Sequence, residues 1–198
     1  MLVTHTKWVT IFYYICNMEI IKGKIEGLYI FKPKVFYDER GYFFESYSNK
    51  VFEEIGVKYI NFVQDNQSYS RAGVVRGLHL QNPPYGQGKL VRVVKGRVLD
   101  VAVDVRKNSP TYGQHQIVEL TDENGLQFWI PEGFAHGFIS LKDNTVFSYK
   151  CSKLYHKNAE SGILWCDPLL NINWGVDSPI ISTKDAILPK FNPEILYF

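Results

Sequence analysis

The stretch "KLVRVVKGRVLDVAVDVR", residues 89–106, constrains the fold more than any other. After Gly96, Leu99, Val101, Val103 and Val105 fall on one side of an extended chain, and Val98, Asp100, Ala102 and Asp104 on the other. A period of two is the signature of a strand, because successive side chains point to opposite faces of a sheet. The two apolar runs flank Lys95-Gly96, which reads as a hairpin turn. Further short runs follow at 114–120, 126–131, 133–141 and 145–152, and "GLYIFKPKVF" (27–36) reads as an earlier strand. Many short strands at near-regular spacing predict a β-sandwich or barrel. The aromatic share of 15% fits, since aromatic side chains suit a pleated, half-buried surface. Helical periodicity is confined to "SNKVFEEIGV" (48–57), with Ser48 or Asn49 as cap and Gly56 as stop. The Pro-, Asn- and Asp-rich tail from about 167 is expected to wrap the surface.

The 198 residues suit one domain. Residues 18–198 are expected to form it, and residues 1–17 to be a dispensable extension, with Met18 offering a second start codon. The apolar run Trp8–Cys16 is far shorter than the roughly 20 residues a spanning helix needs, and it has no small-residue cleavage site. A membrane partner is therefore not expected. A net charge of +2, dispersed along the chain, gives no case for nucleic acid. Three widely spaced cysteines (16, 151 and 166) without a CxxC argue against a disulfide framework or a thiolate zinc site, and favour a reducing, cytoplasmic setting.

Of five histidines, His5 lies in the extension, and His115 and His156 sit beside polar, turn-like residues and read as solvated. His79 and His136 lie in or beside strand runs. A lone strand histidine is more often a packed core group than a catalyst, so each needs company to count. "PEGFAH" (131–136) places a histidine after a Pro-x-Gly turn, as metal-binding double-stranded β-helix proteins do. Those proteins also carry an H-x-H pair on an earlier strand, and here that place reads His79-Leu80-Gln81. The second imidazole is missing, which argues against a metal. No G-x-S-x-G, phosphate loop or G-x-G-x-x-G follows a strand.

What remains is His79, Lys89, Arg76, Tyr149 and Tyr155 on or near strands. These types suit proton transfer at a carbon beside a ketone. A histidine supplies a base of near-neutral pKa. A lysine steadies the enolate oxygen, a tyrosine returns a proton, and an arginine holds phosphate. Taken alone, Tyr149 shares a face with Phe147 and Cys151 and reads as an ordinary core tyrosine.

The motifs "DERGYFFE" (38–45), "QDNQSYS" (64–70), "VVRGLHLQ" (74–81), "GKLVRVVKGRVLDVAVDVRKNSPTYG" (88–113), "IPEGFAHGF" (130–138), "YKCSKLY" (149–155) and "STKDAILP" (182–189) stand in an order and spacing that resemble the dTDP-4-dehydrorhamnose 3,5-epimerases, non-metal members of the cupin superfamily. The resemblance runs from about Met18 to about Pro189. It implies a cupin-type double-stranded β-helix, a jelly-roll barrel with a few short helices. It implies a cofactor-free isomerase acting on a dTDP-4-keto-6-deoxy sugar, and a homodimer with exchanged N-terminal strands. His79 is then the base at C3 and C5, and Asp185 the carboxylate that raises its basicity. Lys89 steadies the enolate at O4, and Tyr149 is the acid on the other face. Arg76 would bind the diphosphate together with Arg40, the latter from the partner subunit. Glu45, Gln64, Asn66, His136, Glu160 and Lys184 fall at nucleotide-sugar contacts, and Tyr155 where thymine is stacked. Arg76 and His79 alternate in strand phase, so a bend or bulge at Gly77 is needed to turn both inward.

Two departures stand out: Leu154 replaces an aromatic that commonly precedes the stacking tyrosine, and "NWGVDSP" (173–179) lacks the usual proline after Trp174. Neither touches the base, the lysine or the acid. The readings left open are a related epimerase inverting C3 or C5 alone, a non-catalytic sugar-nucleotide-binding cupin, and a metal-dependent cupin, already weakened by the missing H-x-H.

Overall fold

The computed structural model describes residues 18–57, 60–195 and 197–198. The extension expected at 1–17, with His5 and Cys16, lies outside them. The strands in chain order are β1 (Glu19–Lys22), β2 (Tyr29–Lys32), β3 (Phe36–Asp38), β4 (Gly41–Phe43), β5 (Gln64–Ser70), β6 (Val75–Gln81), β7 (Lys89–Lys95), β8 (Arg97–Asp104), β9 (His115–Thr121), β10 (Gln127–Ile130), β11 (Phe134–Ser140), β12 (Thr145–Cys151) and β13 (Glu160–Gly162). Among the described residues there are also two short α-helices, α1 (Asn49–Glu54) and α2 (Thr183–Ala186), and one 3-10 turn at Lys157–Ala159.

Among the described residues, one sheet has the order β1-β2-β10-β7-β12-β5 and the other β13-β6-β11-β8-β9, with β3-β4 a separate hairpin. The paired strands within both sheets are antiparallel. The sheets face each other across a core of Val91, Val93, Phe128 and Phe147 from one side and Val98, Ala102, Leu120 and Phe138 from the other. The alternation read in residues 97–106 is therefore real. Val98 and Ala102 enter this inner core, while Val101, Val103 and Val105 pack on the outer face of their sheet against Leu170, Trp174, Phe191 and Tyr197 of the C-terminal segment. That segment wraps the surface as expected, and it also buries aromatic anchors. On the outer face of the larger sheet, Val51 and Phe52 of α1 cover Phe31, Leu90 and Trp129.

Lys95-Gly96 is not a hairpin. β7 pairs with β10 and β12, whereas β8 pairs with β11 and β9. One residue separates the two strands, fewer than the two of the tightest common hairpin loops. Gly96, at φ +95°, turns the chain from one sheet into the other, and a Cβ there would collide with Thr145. The strand read at 27–36 also divides: β2 ends at Lys32 before Pro33, and Phe36 opens the β3-β4 hairpin. The helix at 49–54 appears where its periodicity places it, though Ser48 makes no side-chain cap.

Candidate active site

The inner faces of the two sheets carry the polar residues as well as the core. On β5 the inward set is Gln64, Asn66, Ser68 and Ser70, an alternation in which neither face is apolar, which is why hydropathy alone does not show this strand. On β7 the inward set that includes Val91 and Val93 begins with Lys89, and on β12 Phe147 is followed by Tyr149. From the opposite sheet come His79 on β6, Asp100 on β8 and His136 on β11.

The phase problem at Arg76 and His79 is solved by a bulge. His136 pairs with His79, but Phe138 pairs with Arg76, so three steps on β6 match two on β11. Leu78 and Leu80 consequently pack outward, while Arg76 and His79 both line the cavity. Gly77 sits at the bulge with φ +119°, and a Cβ would come within 2.7 Å of both the Gly137 Cα and the His136 carbonyl oxygen. A side chain at this position would prevent the close approach of β6 and β11.

The cavity, about 500 Å³, is lined by Arg76, His79, Lys89, His136, Tyr149, Lys184 and Asp185, with Phe138 and Phe147 as an apolar wall. An adjoining space of about 370 Å³ is lined by Gln64, Asn66, Gln81, Tyr155 and Glu160. His79, Lys89 and Tyr149 line both spaces. The imidazole and the phenol thus stand on facing sheets, whose backbones in such a sandwich lie about 10 Å apart. A molecule between them would meet a different group on each face.

His79 Nε2 lies 2.7 Å from Asp185 Oδ1. Asp185 is buried, and its other oxygen accepts the Gly77 amide at 3.2 Å. The Ser182 side chain accepts from the Asp185 amide and caps α2. Burial pushes the Asp185 carboxyl up, but the His79 contact and the Gly77 and Ser182 hydrogen bonds outweigh it and hold the group below the usual carboxylate range. Burial lowers Lys89 and raises Tyr149, which keeps the phenol protonated. Arg76 is braced by Ser70 Oγ at 3.2 Å and the Tyr69 carbonyl at 3.1 Å. At the far end Tyr155 donates to Glu160 at 2.8 Å, and Lys184 donates to the same carboxylate at 2.6 Å.

Eleven of the thirteen expected site residues therefore line one or the other space. Arg40 and Glu45 do not: Arg40 is bound to Asp38 beside the exposed β3-β4 hairpin, and Glu45 follows that hairpin. The expectation that His115 and His156 are solvated is corrected. His115 is half-buried and burial lowers its pKa, and His156 stacks on Tyr85 with ring centroids 3.8 Å apart. The residue sequence reasoning passed over is Asp100. It is fully buried and receives His136 Nε2 at 2.9 and 3.0 Å, so a second imidazole–carboxylate pair borders the cavity. Its signal is a charge between Val98 and Ala102, on the inner face of a strand whose central positions are otherwise apolar. Among the described residues no group of three His, Cys, Asp or Glu side chains converges to hold a metal ion, and no helix is long and apolar enough to cross a membrane.

Comparison with known proteins agrees with this fold. A family model described as dTDP-4-dehydrorhamnose 3,5-epimerase matches residues 22–193. A dTDP-4-dehydrorhamnose 3,5-epimerase of Shigella flexneri is 55% identical over 174 residues, covering 88% of this chain and 96% of that protein. The Bacillus anthracis dTDP-4-dehydrorhamnose 3,5-epimerase, solved with TDP and PPi bound, superposes with a TM-score of 0.86 at 45% identity, covering 88% of this chain and all (100%) of that one. The Legionella pneumophila dTDP-6-deoxy-D-glucose-3,5-epimerase, solved with dTDP-4-keto-L-rhamnose, gives 0.82 at 46% identity over 89% of this chain and 100% of the other. With a matching family model over most of its length, a shared cupin-type sandwich and an imidazole–phenol pair across the cavity, this chain belongs to the dTDP-4-dehydrorhamnose 3,5-epimerase family.

Proposed function

We propose that the protein converts dTDP-4-dehydro-6-deoxy-D-glucose to dTDP-4-dehydro-L-rhamnose, inverting C3 and C5. The carrying observation is that His79 and Tyr149 border the same cavity from opposite sheets. The C4 ketone acidifies the hydrogens on both neighbouring carbons. His79, held by Asp185, takes the proton, and the C–H electron pair becomes the enolate, whose oxygen is steadied by the Lys89 ammonium. Tyr149 then gives its phenolic proton to the same carbon from the opposite face, which inverts it. The imidazolium releases its proton and the phenolate regains one from solvent, so nothing is consumed and the reaction needs no cofactor. Arg76 holds the diphosphate, while Gln64, Asn66, His136, Tyr155, Glu160 and Lys184 hold the rest of the nucleotide-sugar.

The active form in this reading is a cytoplasmic homodimer. The β3-β4 hairpin exposes Tyr37, Tyr42 and Phe43, an apolar surface suited to a second copy, and exchange of N-terminal strands would bring Arg40 and Glu45 to the partner's cavity. Light scattering should give twice the chain mass, and a monomer that is fully active would remove Arg40 and Glu45 from the site.

The deciding experiment follows deuterium in the 4-keto substrate in heavy water by NMR. Label at both C3 and C5, with inversion at both, is the expected result. Label at one carbon makes the protein a mono-epimerase, and label at neither makes it a binder. Tyr149→Phe keeps the ring and the base and loses the hydroxyl, so it should wash deuterium in with little inversion. Full inversion by Tyr149→Phe would transfer the role of acid to another group.

A further inference from the structure

Gln81 stands where metal-binding cupins carry the second imidazole of their H-x-H pair, two residues after His79, and the chemistry above makes no use of it. It is a buried polar residue on β6, in the sheet interior. Its side-chain oxygen accepts the His156 amide at 2.7 Å. Its nitrogen donates to the Tyr85 carbonyl at 2.9 Å and reaches the Leu154 carbonyl at 3.4 Å. Both donors and one acceptor of the amide are thus engaged by two loops that have no regular structure of their own. Tyr155 lies between the two backbone groups that Gln81 holds in the second loop. Its own amide donates to Gln64 Oε1 at 2.9 Å, and its hydroxyl to Glu160. The ring itself is half exposed and faces the smaller of the two spaces.

We infer that Gln81 is a positioning residue for nucleotide recognition: it ties the strand bearing His79 to the loop bearing Tyr155, and presets that ring for stacking on the base. The inference rests on the reading that Tyr155 meets the nucleotide base. A loop of this kind, untied, would spend only part of its time in the stacking position, and apparent affinity falls by that fraction. Occupancy of about a tenth corresponds to about tenfold weaker binding. The tie does not touch the reacting carbons, so turnover at saturation should survive its loss.

The test uses the full chain and dTDP as the probe, with calorimetry for affinity and deuterium wash-in for turnover. Gln81→Leu removes the hydrogen bonds and keeps most of the volume. It should weaken dTDP about tenfold and raise KM similarly, with kcat within about twofold. Inorganic pyrophosphate, which has no base to stack, should bind Gln81→Leu and the unaltered protein equally. Unchanged dTDP affinity, or an equal loss for both ligands, would overturn the inference. Tyr155→Ala separates it from the reading beneath it: if that variant binds dTDP normally, the base does not sit on Tyr155 and the site reading fails. If Gln81→Leu does not fold, amide exchange in the unaltered protein decides, because the His156 amide should be slow without ligand. Fast exchange there would show that Gln81 does not hold the loop.

Discussion

Two imidazole–carboxylate pairs border one cavity, and they are built differently. His79 is about one-third exposed (34%) and its partner Asp185 nearly buried (5%); His136 and Asp100 are both hidden, at 7% and 0%. Asp185 arrives from α2, 106 residues along the chain, and is held by a backbone amide and a capped helix turn. Asp100 sits on a central strand, diagonal to His136 across the β8-β11 ladder. Burial dominates Asp100 and raises its carboxyl, against the pull of His136 and Lys89. The balance at Asp185 goes the other way. An imidazole with one open side can meet a substrate carbon and exchange its proton with solvent. One sealed against its carboxylate and stacked near Phe147 is better suited to hold a fixed orientation. Access, more than residue type, separates a base from a wall.

The largest test of that contrast is replacement of each imidazole. His79→Asn should abolish deuterium uptake at both C3 and C5, a loss of roughly 10²–10⁴-fold or more. His136→Asn should keep uptake at saturating substrate within about tenfold and act mainly on KM, since a hydrogen bond to bound substrate is worth about 1 kcal/mol. Equal loss in the two variants would mean that the imidazoles share the base's work.

The carboxylates come next. Asp185→Asn leaves the imidazole and replaces a charge-assisted hydrogen bond, worth about 1.5–3 kcal/mol, by a neutral one. A fall in kcat of about 10- to 100-fold follows if most of that bond strengthens in the transition state. Asp100→Asn should cost less, because in the proposed mechanism His79, not His136, removes the proton. A pre-steady-state exchange measurement compares them directly, and a larger loss at Asp100 would reverse the order of the two pairs.

Arg76, His79, Lys89 and Tyr149 are legible in the sequence because they interrupt apolar strand runs, whereas Gln64 and Asn66 on the polar β5, and Lys184 and Asp185 on α2, come from the resemblance alone. The alternation after Gly96 places Val101, Val103 and Val105 together, and the same alternation puts Asp100 on the inner face. By residue type Gln81 reads only as the place of a missing metal ligand, while its role as a tie between loops depends on carbonyls and amides that no motif encodes. Lys95-Gly96 misled because a glycine that switches sheets and one that turns a hairpin have the same letter, and only the ladder partners of β7 and β8 differ. The pairing of His79 with Asp185 came from resemblance alone, since nothing local relates positions so far apart in the chain.

The smallest effect, and the one that reads the two environments most directly, is stability against pH. A carboxyl held below its ordinary pKa in the folded state stabilises fully above the unfolded value and loses that stabilisation as pH falls through the folded value. Asp185 is of this kind. Asp185→Asn should therefore be less stable than the unaltered protein near neutral pH, and the gap should close on acidification through and below the ordinary carboxylate range. Asp100 is raised, so the folded state holds its proton more tightly than the unfolded chain does, and its contribution declines as pH rises through the raised value. Asp100→Asn carries no such charge. It should match or exceed the unaltered protein near neutral pH, and any advantage should vanish in acid. Thermal midpoints of the three proteins across that range, with differences of a few degrees at most, check both signs in one series. A loss of stability by Asp100→Asn that grows toward neutral pH would show that the attraction of His136 and Lys89 exceeds the cost of burial, and the two pairs would then be electrostatically alike despite their different access to solvent.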